Sequence, residues 1–325
     1  MFAAHTVRLP GEQIYDGRSA ILFATIAGVS LGLLTGAASP PPPGARTEAR
    51  LVVLIRGAVL VLLGLAITTF LRPPIYVILD AYGFGFVLLL GLLFAARPVL
   101  ALVAGLLTVG GPLVIAALTD GTDPEALPAP FQVFAGWLVT GPYPLLVWLV
   151  FLLAGLLVAR SDLRDRTTAA IALVGGLLAA LVGYASAHLV PGVTAAAHEG
   201  TTAEVLGSGG LAVAIVGAFS LLDSATGVGE RVARAIRVVL APLAAAGSMA
   251  LTLYTAHAVV LAIFRWTSED PDRWQVPGWA FPALAIGSLV VASLWRRFLG
   301  PGPLERGLRA LTRLVLRRPR PRVAA

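Results

Sequence analysis

The sequence predicts an all-α fold, a polytopic transmembrane helical bundle. Three observations carry that reading. Hydrophobic residues make up 58% of the 325-residue chain and charged residues only 13%, where soluble domains carry about 25% charged. A water-soluble fold of this length could not cover so much apolar surface, so lipid is the expected solvent. Apolar runs of about 20 residues recur along the whole chain, the length that crosses a bilayer. Arginine is unevenly shared between alternate connections, as membrane topology requires.

The first long stretch, residues 5–34, sets the pattern. His5 comes first, then a polar loop with a proline, then Asp16-Gly17-Arg18, and from Ser19 the chain turns apolar. Nine complete spans are expected: Ser19–Ala38, Leu51–Leu71, Ile75–Ala96, Pro98–Thr119, Leu138–Ala159, Thr167–Val190, Val205–Ser224, Gly247–Phe264 and Trp279–Leu299. Pro40 to Pro43 form a stiff linker after the first. Arg72-Pro73-Pro74 makes a tight reversal, and Pro98 suits the first turn of the helix it opens. Residues 1–299 read as one transmembrane domain and 300–325 as a basic tail. In that tail Leu304, Leu308, Leu311 and Val315 share a helical face, which suits an amphipathic helix on anionic lipid. The end, RRPRPR, is basic and unpatterned.

With the C-terminus cytoplasmic, nineteen of the 24 basic residues, all arginine, fall on the inner side and five on the outer. The outer five are Arg8, Arg18, Arg72, Arg265 and Arg273. This topology accounts for the net charge of +7 without nucleic acid as a partner. The absence of lysine and the richness in alanine, glycine and valine suit a high-GC bacterial genome, hence a bacterial plasma membrane. There is no cysteine, which excludes disulfides, thiolate metal sites and thiol nucleophiles. MFAAH lacks the basic and apolar regions of a secretory signal.

The same topology puts His5, His188, His198 and His257 near the outer face, with Asp120, Asp123, Glu125, Glu199 and Glu204. A histidine gives and takes a proton near neutral pH, which makes His5 a candidate base or nucleophile. A solvated loop histidine would look the same. Asp16 and Arg18 flank Gly17 at a helix mouth, as a cap with a snorkelling arginine or as a substrate contact. Asp80 lies about five residues inside the third span, where a carboxylate is costly and usually faces a cavity or a partner. Tyr143 stands in a Gly-Pro-Tyr-Pro opening of the fifth span, equally an interfacial anchor. In the eighth span Tyr254 and His257 lie opposite Ser248, Thr252 and Thr255. No His-x-x-x-His spacing occurs, so no metal is expected. Phosphate loops, nucleophile elbows and paired carboxylates are also missing from the sequence.

Four stretches resemble the YeiB-like bacterial membrane family and its relative, the heparan-α-glucosaminide N-acetyltransferase catalytic domain. They are DGRSAILFATIAGVSLGLLTG, GPYPLLVWLVFLLAGLLVARSDL, GSMALTLYTAHAVVL and GPLERGLRALT, in family order along the chain. Both families stand in a wider transmembrane acyltransferase group with acyltransferase family 3. The resemblance implies ten spans and a catalytic histidine at the outer end of the first, matched here by His5. Only MFAA precedes His5, so the chain is expected to hold just the remnant of that first span and to lack its true beginning. The resemblance also implies acyl transfer from cytoplasmic acyl-CoA, typically acetyl-CoA, to a sugar or other small acceptor at the outer face. Catalysis would then use His5, with Asp16 to hold its tautomer. Arg18, Asp80, Tyr143, His198 and His257 would contact the acceptor, and Arg46, Arg50, Arg97 and Arg160 the CoA phosphates. Expected partners are the bilayer and the small-molecule or glycan acceptor, and self-association into a homo-oligomer is compatible with the reading. The rival is a transporter or lipid-linked carrier without covalent chemistry, and a non-catalytic scaffold is a third. The topology is testable directly: a reporter active only outside the membrane, fused after Ala325, should be silent, and strong activity would reverse the orientation.

Overall fold

The computed structural model describes residues 1–7, 10–120, 127–225, 228–268 and 276–316. Arg8, Asp123, Glu125, Arg273 and the RRPRPR end lie outside the described residues. Among those described, every regular element is helical. A short α1 (Phe2–Thr6) precedes α2 (Arg18–Leu34). The chain continues through α3 (Arg46–Ala66), which ends in a π turn, α4 (Leu79–Leu88) and α5 (Arg97–Thr119). Then come α6 (Ala129–Ala135), α7 (Leu145–Arg160) and α8 (Arg166–Leu189). Next, α9 (Thr202–Glu204) runs through a π turn into α10 (Gly210–Asp223). The remaining helices are α11 (Val228–Val239), α12 (Ala241–Gly247), α13 (Ala250–Trp266), α14 (Ala280–Phe298) and α15 (Pro303–Leu316).

Among the described residues, five helices are long and apolar enough to cross a membrane, or seven if each of two bent pairs counts as one span. The nine complete spans expected are therefore not all of crossing length. Helix α2 has 17 residues, about 26 Å at 1.5 Å per residue. The expected run to Ala38 ends early because Gly36 and Ala37 take positive φ and close the helix, with Ala37 N donating to Gly32 O at 2.7 Å. The third run is cut at both ends, because the backbone after Pro73-Pro74 stays non-helical to Ile78 and a 3₁₀ turn follows at Leu89–Gly91. Pro142 and Pro144 interrupt the fifth near its start, separating α7 from the π turn that ends α6, and the two segments are bent by 58°. The eighth is bent by 81° between α12 and α13. Sequence periodicity also assigns no element between Ser224 and Gly247, where α11 stands. Its arginines line one face, and Arg234 pairs with Glu230 at 2.8 Å.

Apolar side chains on α5, α8 and α14 face outward, among them Leu102, Leu106, Leu177, Leu181, Ile286 and Val290. Such a belt, with several crossing-length helices, is consistent with a multi-pass membrane protein. Inside it, α7 is the most enclosed element, with Leu145, Trp148, Phe151, Leu152 and Leu156 buried. Helix α2 lies parallel to α7 at backbone contact. A Cβ added at Gly28 would overlap the Leu152 carbonyl, and one at Gly32 the Ala159 side chain. Gly155 meets the Thr25 carbonyl in the same way. Small residues four apart on each helix thus form one seam. The seam defines two ends of the bundle, a histidine end where α2 and α7 begin and an arginine end where they stop.

At the arginine end Arg160 is buried. It donates to Thr35 O at 3.2 Å, to Thr35 Oγ1 and Leu93 O at 2.6 Å each, and to Ala37 O at 2.5 Å. One guanidinium thereby ties the last turns of α2 and α4's extension to α7. The tail helix α15 is seated on the start of α13, where Glu305 accepts from Thr252 N at 3.1 Å and from Thr252 Oγ1 at 2.5 Å. A carboxylate there satisfies orphan donors at a helix N-terminus. Overpacking a filled core costs about 1–3 kcal/mol, and at the seam the obstacle is backbone rather than a movable side chain. Gly155→Leu should therefore abolish monodisperse protein in detergent, whereas Gly175→Leu, at an open position of α8, should leave yield and melting temperature nearly unchanged. Equal behaviour of the two would refute the seam.

Candidate functional site

At the histidine end a cavity of about 330 Å³ is lined by His5, Asp16, Ser19, Tyr82, Tyr143, His198 and Tyr254, among others. Its position follows from local structure. Gly17 has φ +63°, and a Cβ there would lie 2.7 Å from Ala197 Cβ, so the turn before α2 can press against the loop that carries His198. That loop is fixed by Glu204, whose buried carboxylate accepts from His198 N at 2.8 Å and Gly200 N at 2.7 Å. Glu204 Nα in turn donates to Thr201 Oγ1 at 3.0 Å, a helix N-cap. Below the cavity Tyr82 Oη donates to Ala20 O at 2.8 Å, and Tyr254 Oη accepts from Ile78 N at 3.2 Å. These two phenols hold α2, α4 and α13 together around the floor.

His5 and His257 form a pair. Their rings are parallel within 7°, with centroids 5.0 Å apart, and His5 Nδ1 lies 3.3 Å from His257 Nε2. Phe2 and Tyr254 flank the His257 ring. Burial holds the His5 pKa down to about 4, with the nearby N-terminal ammonium and His198 adding to the shift. His198 is lowered too, mainly by burial, while a hydrogen bond to the Pro142 carbonyl and the charges of Asp16 and Glu12 oppose it. Its ring lies against Tyr143 and Trp148. At neutral pH the cavity therefore presents uncharged imidazoles.

The expected residues separate into groups. His5, Asp16, Tyr143 and His198 line one cavity, and His257 lies behind His5. The partner of the His5 ring is His257, whereas Asp16 Oδ2 accepts from Gln13 N at 2.8 Å. Arg18 points elsewhere, to Tyr184 Oη and Glu12 at 2.8 Å each. Asp80 lines a neighbouring pocket with Trp137. Arg46, Arg50 and Arg160 gather around the Phe94 ring, 5.2–5.7 Å from its centroid. Arg160 is spent on its four acceptors, while Arg97 is exposed at the start of α5. Among the described residues, no three His, Asp or Glu side chains gather as metal ligands. Tyr82 and Tyr254 are site residues that sequence reasoning missed as such. Tyr82 lies in an otherwise mostly apolar run, and only a helical-face argument singles out Tyr254.

A second cavity, about 270 Å³, lies toward the arginine end and is lined by Arg56, Glu305, Leu308 and apolar residues. Phe23 and Tyr82 line both cavities. Their rings stack with centroids 6.0 Å apart and planes within 13°. One aromatic pair therefore stands between the two spaces.

The pH dependence has a definite sign. A histidine whose pKa is lower in the folded state stabilises fully above its unfolded value, about 6.5. That contribution is lost as pH falls from there toward about 4. The melting temperature of the protein should drop across this window, and His5→Gln should flatten part of the drop, with His198 supplying another part. Superimposable profiles for wild type and variant would contradict a buried neutral His5.

No curated protein and no solved structure matches this chain. Residues 154–315 match a family model described as "Protein of unknown function (DUF418)", and at that level the YeiB-like resemblance holds. The match runs from the second half of α7 to the tail helix α15.

Proposed function

We propose that this protein is an integral membrane acyltransferase of the bacterial plasma membrane. It moves an acyl group, typically acetyl, from cytoplasmic acyl-CoA to a hydroxyl or amine of a small or glycan acceptor at the outer face. The tail is cytoplasmic in this reading. The observation that carries it is the His5–His257 pair, with His5 in the wall of the cavity and the two rings within hydrogen-bonding reach of each other.

The chemistry asks little of the protein. The acceptor's oxygen or nitrogen attacks the thioester carbonyl, a C–O or C–N bond forms, and the C–S bond breaks. The acceptor loses a proton and the CoA thiolate gains one. His5 carries that proton if its Nε2 holds the lone pair. Nδ1 then holds the hydrogen and donates it to His257 Nε2, which makes His257 a positioning residue. Burial favours the neutral base. Arg46 and Arg50, with Phe94 between them, suit the phosphates and adenine of CoA. Arg160 is committed to the fold, and Arg97 has no convergent partner in this reading. The second cavity offers an apolar way from that end toward His5, interrupted by Phe23 and Tyr82.

A transporter remains the second reading. Two cavities on either side of one aromatic pair, and two bent helix pairs, are features that alternating access also uses. The two are separated by thioester consumption. Full-length protein in liposomes loaded with acyl-CoA should release free thiol when an acceptor is outside. A general base contributes about 10²–10⁴-fold, so His5→Ala should lose at least that much thiol release while retaining acyl-CoA binding. Loss below about tenfold would remove His5 from this role, and acceptor flux without thiol release would favour the transporter.

A further inference from the structure

Beside the His5 cavity lies a separate pocket of about 330 Å³. Its walls come from the ends of α3 and α4 and from the break between α6 and α7. Asp80 is its one carboxylate, and Tyr76, Trp137 and Tyr143 supply rings. Trp137 Nε1 donates to Asp80 Oδ2 at 2.8 Å. The other oxygen, Oδ1, is buried without a hydrogen-bond partner.

That oxygen requires an explanation, because an ionised carboxylate held away from water needs a partner on each side. The ion pairs Arg18–Glu12, Arg234–Glu230 and Arg237–Asp223 do not involve Asp80. The position is also built rather than incidental. Gly64 lets α4 approach so closely that a Cβ there would meet Asp80 Cβ at 2.8 Å. Trp137 is in turn packed by Phe84 and Phe134, with centroids 5.0 and 5.7 Å away. The half-helix made of α6 and its π turn ends at this pocket, with Gly141 N donating back to Gly136 O at 2.9 Å. Its carbonyl end is the negative end of a helix dipole. A fixed carboxylate, aromatic rings and a helix C-terminus all favour one kind of ligand, a cation with an apolar body.

We propose that the Asp80 pocket binds an organic ammonium ion, distinct from any acyl donor. The ammonium sits over the Asp80 carboxylate, and the alkyl part lies along Trp137, Tyr76 and the apolar wall of Leu65 and Val133. Tyr76 and Val133 are exposed, so the ligand can enter from the bundle's flank. The ammonium can belong to a free amine or to a lipid headgroup. The proposal does not depend on the acyltransferase reading, since Tyr143 and Tyr76 wall both spaces without either needing the other filled.

Choline is the probe, and 3,3-dimethylbutan-1-ol is its uncharged counterpart of the same shape. The full-length protein in phosphatidylglycerol nanodiscs should bind choline saturably by calorimetry, and at least tenfold more tightly than the alcohol. Asp80→Asn keeps an acceptor for Trp137 and should weaken choline at least tenfold with little change in melting temperature. If that variant fails to fold, Tyr76→Leu, at an exposed wall position, should still weaken choline severalfold. Nanodiscs of phosphatidylcholine assign the source. A weaker apparent choline affinity there means a headgroup occupies the pocket, and an unchanged one means a free amine does. Absence of saturable choline binding, equal binding of the alcohol, or undiminished binding by a folded Asp80→Asn would each overturn the site.

Discussion

The close approach of α2 to α7 is the constraint on which the rest of the molecule depends. It exists because Gly28, Gly32 and Gly155 present no side chain where the two backbones meet. In lipid there is no hydrophobic drive to bring two apolar helices together, so van der Waals contact along such a seam does that work. Once the helices are parallel and in contact, both ends of the bundle are fixed. At one end Arg160 reaches the last turn of α2. At the other, the turn at Gly17 rests on Ala197, and Asp16 enters the cavity wall.

The histidine end is also shaped by what it must satisfy. Glu204 is buried among backbone donors of the His198 loop, so its role is to shape that loop. The His5–His257 pair is a different case. Two imidazoles at 3.3 Å cannot both be protonated without like-charge repulsion in a buried setting. The pair therefore does not carry two charges, and burial keeps His5 neutral at neutral pH, which is what a base needs. His257 Nδ1 has no partner. An orphan of this kind is tolerated in neutral imidazole at modest cost and would be expensive in a cation.

How much of this could be read from the sequence depends on the kind of signal. Length and apolarity suffice for α5, α8 and α14, which stand within a few residues of the expected bounds. Runs that contain a break were read too long, because Gly36, Pro74, Pro142 and Met249 interrupt the backbone without interrupting the hydropathy. The amphipathic α11 carries a 3.6-residue pattern but no long apolar run, so hydropathy alone does not mark it. For the site, His5, Asp16, Tyr143 and His198 were legible as polar groups at helix mouths. The pairing of His5 with His257 was not, since it joins residues 252 apart in the chain. The division of Arg160 from Arg46 and Arg50 was equally hidden, because only packing decides which guanidinium is buried.

The Phe23–Tyr82 stack is where these levels meet. Tyr82 cannot leave its place freely, because its hydroxyl is bonded to Ala20 O in the first turn of α2. Phe23 is three residues further along the same helix, so both rings are referenced to α2 and, through the seam, to α7. Any opening between the two cavities must then come from rotation of Phe23 about its own side-chain bonds, or from movement of α4 relative to α2. The first admits a thin chain and keeps the helices still. The second would disturb the Asp80 pocket as well, since Asp80 and Tyr82 share the first turn of α4. The acyltransferase and transporter readings thus differ in which part must move. The Tyr82–Ala20 hydrogen bond makes side-chain rotation the cheaper of the two, since moving α4 away from α2 would break that bond.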